Sequence, residues 1–188
     1  MPPERFPEVE LTTDRLRLRA FTAADTDDVY RAVSDPSSQE WLPMPAPGVR
    51  YTRDHAALWC REEARHALAV GDGIHWAAEE VAGGGFVGSF GLVRTLWASR
   101  CTEVGYWCAP GARGRGYATE AVTEIAHWAL IGQGFERVEL KAATGNTASR
   151  RVAEKAGFVR EGVERNAMPL HRGRTDLVVY SLIPRDLP

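Results

Sequence analysis

The sequence predicts a single α/β domain with a mixed sheet, and three observations carry that expectation. Segments of two-residue alternation interleave with segments of helical spacing. Some strand-like runs follow one another across short glycine turns, as in antiparallel pairs, while others are separated by a helix. The chain has 188 residues, enough for one domain with a sizeable core.

Residues 1–12 read as an irregular lead-in. Arg15 to Arg19 alternates strictly and predicts a strand with one face buried. Thr22 with Asp25 three residues on is a helix-start signal, for a helix to about Ser34 with Val29 and Val33 inward. Pro36, Pro43, Pro45 and Pro47 predict a loop carrying Trp41 and Leu42. A second helix is expected from Thr52 to Val70, with Ala57, Leu58, Cys60, Ala64, Leu68 and Ala69 apolar, ended by Gly71. Strands follow over 74–81, 86–97 and 101–108, the first two joined by a Gly83–Gly85 turn. A third helix starts near Tyr117, its apolar face marked by Ala118, Ala121, Val122, Ile125, Ala126 and Ala129. A strand over 138–142, a short helix over 148–156 and two closing strands (158–164, 175–183) complete the chain, with a loop around Pro169 and Gly173.

Composition narrows the function classes. Hydrophobic residues make up 44% and charged residues 26%, with a net charge of −2. The signs are mixed along the chain, which disfavours a nucleic-acid or membrane surface. No apolar stretch approaches the ~20 residues a membrane span needs. The first eleven residues, with prolines and several charges, lack the apolar core of a secretory signal. Cys60, Cys101 and Cys108 have neither disulfide-framework nor metal-ligand spacing and read as reduced thiols of a cytoplasmic protein. No metal site is expected.

The strongest local signal is Arg113-Gly114-Arg115-Gly116-Tyr117-Ala118, which follows a strand and opens a helix. Glycines there permit close approach of the backbone to an anion. The first helical amides, up to Thr119, have no intrahelical partners and carry partial positive charge, which suits a phosphate group. Arg113 and Arg115 are expected to add charge at the same place. The run is not a P-loop, since no Gly-Lys-Ser/Thr follows. It is not the dinucleotide fingerprint either, because Thr119 stands where a third glycine would be. A plain surface turn remains the competing reading.

Here the chain resembles the GNAT N-acetyltransferases. Arg113-x-x-Gly116-x-Ala118 matches their [Gln/Arg]-x-x-Gly-x-[Gly/Ala] motif. It is preceded by Glu103-Val104-Gly105-Tyr106-Trp107 and followed by Glu120-Ala121. Asn146, Ser149 and Arg150, then Glu154-Lys155-Ala156-Gly157-Phe158, come in the expected order, and the opening Leu11–Arg19 and ending Gly173–Leu182 also fit. The set is similar to the RimJ/RimL branch, which acetylates ribosomal-protein N-termini. The resemblance implies a strongly twisted sheet of six or seven strands flanked by about four helices. It implies acetyl-CoA as co-substrate, with succinyl-CoA or another acyl-CoA as an alternative donor. It places the pantetheine along 101–108 (Tyr106, Trp107, Cys108), the pyrophosphate on 113–118, and Asn146, Ser149 and Arg150 nearby. A homodimer is expected by the same analogy.

The chemistry assigns candidate roles. Acyl transfer to an amine needs a proton acceptor, a donor for the oxyanion and a hydrogen bond to the leaving thiolate. Glu103, on the same strand face as Gly105 and Trp107, is the candidate base; the alternatives are a solvated carboxylate or a group that only binds a cationic substrate. A backbone N–H of 106–108 is the oxyanion donor. Ser149 is the candidate donor to the thiolate, with Asn146 beside it; both residue types also favour helix N-caps. Cys108 has no histidine in partner position, so direct transfer is favoured over an acyl-enzyme. Trp41 and His171 are the acceptor-side candidates, whereas Trp97 and Trp107 read as packing. A non-catalytic coenzyme-A-binding sensor is the reading outside enzymology. The acceptor is a primary amine, on a protein N-terminus or a small molecule.

Overall fold

The computed structural model describes residues 4–187. Eight strands form one mixed sheet: β1 (Leu11–Thr12), β2 (Leu16–Arg19), β3 (Ile74–Glu80), β4 (Phe86–Leu96), β5 (Cys101–Cys108), β6 (Arg137–Ala143), β7 (Val159–Leu170) and β8 (Gly173–Leu182). Their spatial order is β1-β2-β3-β4-β5-β6-β8-β7. The helices are α1 (Thr26–Ser34), α2 (Pro36–Gln39), α3 (Arg53–Leu58), α4 (Ala64–Val70), α5 (Tyr117–His127) and α6 (Thr147–Lys155). The eighth strand beyond the expected six or seven is the two-residue β1, which is too short to show alternation and is held by pairing with β2 and by the buried Leu11. Among the described residues no helix is long and apolar enough to cross a membrane.

Two apolar clusters lie on opposite faces. One packs α5 against Val104, Val138, Leu140, Val178 and Tyr180. The other packs α1, α3 and α4 around Phe21, Val29, Val33, Tyr51 and Ala77. Val29 and Val33 are fully buried as their spacing predicts. The expected 52–70 helix exists as α3 and α4 joined by a π-helical turn, Trp59–Glu63. Its buried line is Ala56, Cys60 and Ala64, while Leu58 and Ala69 are exposed. The wide turn shifts the helical phase by a residue, so a constant 3.6 spacing misassigns the face.

Three other expectations are revised. The proline segment carries α2, which starts at Pro36 with Asp35 as N-cap, its side chain accepting from Ser37 N–H at 2.9 Å. The closing strands are longer than expected and meet near His171, so Pro169 lies inside β7. That strand is the sheet edge, where a missing N–H costs nothing. The lead-in lacks regular structure over 4–10 but inserts Phe6 into the core at 2% exposure. Phe6 packs on Trp97, Trp128 and Phe135 with centroids 4.8, 5.6 and 5.4 Å away.

The feature that shapes the functional region is the β5–β6 junction, the only parallel pair among the described residues. It spans Cys101↔Arg137, Thr102↔Val138 and Glu103↔Glu139, and then stops. Beyond it β5 stays paired with β4 to Cys108, while β6 stays paired with β8 to Ala143. The two strands therefore diverge, and one edge of residues 104–108 is left without a strand partner.

Because Phe6 is a core side chain, Phe6→Ala should lower stability by about 3–5 kcal/mol. A thermal melt showing no significant change would mean that the lead-in does not hold the core.

Candidate active site

The opening between β5 and β6 is bounded by four segments. At one end lies the turn into α5. Gly114 and Gly116 have φ of +75° and +84°, the left-handed region that glycine enters without penalty. The first intrahelical bond is Glu120 N–H to Gly116 O at 3.1 Å, so the amides of Tyr117, Ala118 and Thr119 precede the helical ladder. A Cβ on Gly114 would meet nothing within 4 Å, so the turn faces open space.

The two loop arginines have neighbours within the protein. Arg113 donates to Ser37 Oγ (2.7 Å), Ser38 Oγ (2.6 Å) and Cys108 O (3.1 Å), and so ties α2 to the end of β5. Arg115 pairs with Glu80 at 2.6 Å and lies over the Tyr117 ring at 4.7 Å. Arg113 thus keeps its positive charge among neutral acceptors, while the charge of Arg115 is paired with Glu80.

The turn is braced from the β1–β2 hairpin. Glu120 accepts from Thr13 Oγ1 (2.5 Å) and from Arg15 N–H (3.0 Å) and Nε–H (2.7 Å), and Arg15 also donates to Arg115 O at 3.0 Å. These contacts hold the Glu120 carboxyl below its usual range, against the opposing effect of burial. Glu120 also sits in the first turn of α5, where a negative charge is favoured. Sequence reasoning noted Glu120 as part of the motif, but its partners, more than a hundred residues away, left no local signal.

Where β5 and β6 part, Glu103 is 7% exposed. Burial pushes its carboxyl above the usual range, opposed by Arg94 and Lys141. Arg94 Nη2 is 2.5 Å from Glu103 Oε1. Arg94 is aimed there by a bulge: the β4–β5 register shifts between Val93 and Leu96, and Arg94 takes φ +50°. Neither Arg94 nor Lys141 was singled out by sequence, because a bulge leaves no periodic signature. Glu103 is thus neither solvated nor isolated: it is a buried carboxylate held by one cation.

Along β5 the side chains alternate. Trp107 packs on Phe86 with centroids 6.0 Å apart and borders the α1/α3 cluster. Tyr106 and Cys108 border the α5 cluster. Tyr106 stacks on Phe90 at 5.6 Å, and its O–H donates to Ser149 Oγ at 3.0 Å. Burial raises the Cys108 thiol to about 12, which leaves it protonated and a poor nucleophile.

Across the gap, Asn146 caps α6, its Oδ1 accepting from Ser149 N–H at 3.1 Å. The N-cap reading of Asn146 is therefore what the geometry contains, while Ser149 keeps its hydroxyl for Tyr106. Arg150 braces the same turn by donating to Thr144 O at 3.2 Å.

Trp41 and His171 are brought to the same rim. A Cβ on Gly145 would lie 3.0 Å from Trp41 Cη2, so the indole covers the β6–α6 turn. Gly48 N–H donates to His171 Nδ1 at 3.1 Å, which joins the proline segment to the β7–β8 tip. Trp97 is a packing residue as expected, its Nε1–H bonded to Gly71 O at 2.7 Å.

Residues 15–159 match the model of the acetyltransferase (GNAT) domain. The chain belongs to the GNAT acetyltransferase family. Membership carries the reaction class, acyl transfer to an amine nitrogen. YdaF of Bacillus subtilis (strain 168), named as a provisional ribosomal N-acetyltransferase, is 35% identical over 103 residues, which are 55% of this chain and 56% of that protein. This chain thus spans little more than half of that relative. YoaA of the same organism, an uncharacterized N-acetyltransferase, is 28% identical over 187 residues, 96% of this chain and 99% of YoaA. Among solved structures, Mycobacterium smegmatis RimJ in complex with CoA-disulfide superposes with a TM-score of 0.81 at 24% identity, over 92% of this chain and 84% of that one. The GNAT fold is shared, with eight strands here.

The Arg15 brace gives a test. Arg15→Ala should weaken coenzyme A binding about fivefold, the loss of one hydrogen bond's net contribution, with a stability change within ~1 kcal/mol for a half-exposed pair. Unchanged affinity by titration calorimetry would show that the brace does not order the turn.

Proposed function

We propose that this acetyltransferase moves the acetyl group of acetyl-CoA directly to a primary amine in a ternary complex, with a protein N-terminus as the favoured acceptor. The observation that carries the reading is the divergence of β5 from β6 between a buried carboxylate, Glu103, and the glycine turn that opens α5. The ribosomal naming of YdaF supports a peptide acceptor. The arrangement of half-buried Trp41 and His171 with the exposed Gly48 supports an acceptor arriving from that side. The expected homodimer belongs to the same reading.

The residues fit the co-substrate. The amides of 117–119 suit a pyrophosphate, the free edge of 104–108 suits an amide-bearing arm, and Ser149 stands across the gap. Bound acetyl-CoA supplies an activated thioester carbonyl. Glu103 accepts a proton from the amine, directly or through water. Its raised pKa brings it closer to the operating pH, where a general base is most effective. A backbone N–H of 106–108 donates to the oxyanion. Ser149 donates to the departing sulfur, and Asn146 holds the Ser149 amide in place. The Cys108 thiol stays protonated and takes no part.

A thiol-release assay with acetyl-CoA, succinyl-CoA and a panel of N-terminal peptides and small amines tests this. Glu103→Gln should lower kcat about 100-fold or more, and Gly116→Trp should abolish coenzyme A binding. The acidic limb of kcat/KM should lie above the usual carboxylate range. Arg94→Ala should move that limb to higher pH, because the lost cation favoured the ionised carboxylate. Full activity in Glu103→Gln, or no affinity of the wild type for coenzyme A, would overturn the reading.

A further inference from the structure

We propose that Tyr106 is a positioning residue for the leaving-group step: its phenol O–H, donated to Ser149 Oγ, directs the serine's own proton into the gap between β5 and β6. This rests on the role of Ser149 given above.

Three observations carry it. First, the pair spans the divergence. Tyr106 belongs to β5 and Ser149 to α6, past the point where β5 and β6 cease to pair. Second, the phenol cannot wander. Its ring lies parallel to Phe90 at an interplanar angle of 4°, and Phe90 is fully buried. Third, the serine is held from two sides. Its N–H is bonded to Asn146 Oδ1 at 3.1 Å, and its Oγ accepts from Tyr106 at 3.0 Å. Among the described residues no protein group accepts the Ser149 proton.

A serine in the first turn of a helix otherwise tends to bond to nearby backbone, which would take its hydroxyl out of service. With one lone pair engaged by Tyr106, the Ser149 O–H points away from the phenol. When the tetrahedral intermediate collapses, the C–S bond breaks and its electron pair stays on sulfur. Ser149 meets that charge with a hydrogen bond and keeps its proton. The proton lost by the amine goes to Glu103 or water, and the thiolate is protonated after release. Burial pushes the Tyr106 phenol up from its ordinary value, so Tyr106 holds its proton throughout and acts only through Ser149.

The test is a double-mutant cycle with Tyr106→Phe and Ser149→Ala, reading kcat, KM, coenzyme A affinity and melting temperature. The phenylalanine keeps the stack on Phe90, so the fold should be retained. Tyr106→Phe should lower kcat about tenfold with unchanged coenzyme A affinity, KM and melting temperature. Added to Ser149→Ala it should cost nothing further, because the tyrosine acts only through the serine. If Ser149→Ala is slow but Tyr106→Phe is full speed, or if the two losses multiply, the positioning role is overturned while the site reading stands. If the Tyr106→Phe loss lies in affinity or melting temperature, the role is structural and the proposal fails. If Ser149→Ala is itself fully active, the assigned role of Ser149 fails, and this inference with it.

Discussion

Everything in the functional region depends on a sheet interaction that stops early. Parallel pairing between β5 and β6 lasts for three residue pairs. Had it continued, the peptide groups of 104–108 would be satisfied on both edges, and nothing could enter between them. Because it stops, the backbone edge of 104–108 is left without a strand partner, with Ser149 and Asn146 across from it. The antiparallel ladders on either side keep the two halves of the sheet rigid, so the gap is a fixed feature of the fold.

Charge is arranged around the point of divergence. Glu103 closes the paired segment opposite Glu139, and Lys141 bonds Glu164 at 2.7 Å and lies 3.6 Å from Glu139. Arg137 pairs with Glu139 and Glu161. Glu103 and Glu139 would repel each other in a partly buried setting, and the interleaved Lys141 and Arg137 relieve this. Glu103 itself is left with the exposed Arg94 as its one direct ion-pair partner. Its ionisation is therefore sensitive to a side chain that solvent also reaches.

The order of elements was legible in the sequence, and β5 and the start of α5 fall where alternation and glycine placement put them. Those signals are local, and local periodicity survives folding where an element is amphipathic. What was hidden is long-range or irregular. The π-helical turn at Trp59–Glu63 changes a helical phase without changing composition. The bulge that aims Arg94 has no residue signature. The charge of Arg113 and Arg115 can be read from sequence, while the direction of each guanidinium, toward Ser37 and Ser38 or toward Glu80, cannot. Asn146 and Ser149 were readable as cap or as site. The geometry gives Asn146 the cap and leaves Ser149 with a partner, Tyr106, that no spacing rule connects to it.

The strand order also has a consequence for how the protein comes into being. The glycine turn, its brace from the first two strands and the carboxylate of β5 all lie within the first 120 residues. The opposite wall comes from β6 and α6, and β6 is fixed in place by β8, which slots between β6 and β7. A nascent chain emerged only through α5 thus carries half a cleft with an open sheet edge at β5, and pairing of β6 with β8 completes it. Non-local pairing of this kind is slow and leaves edges exposed in the meantime. Removing β8 should therefore unmake the wall that β6 and α6 supply without touching Glu103, the glycine turn or Ser149.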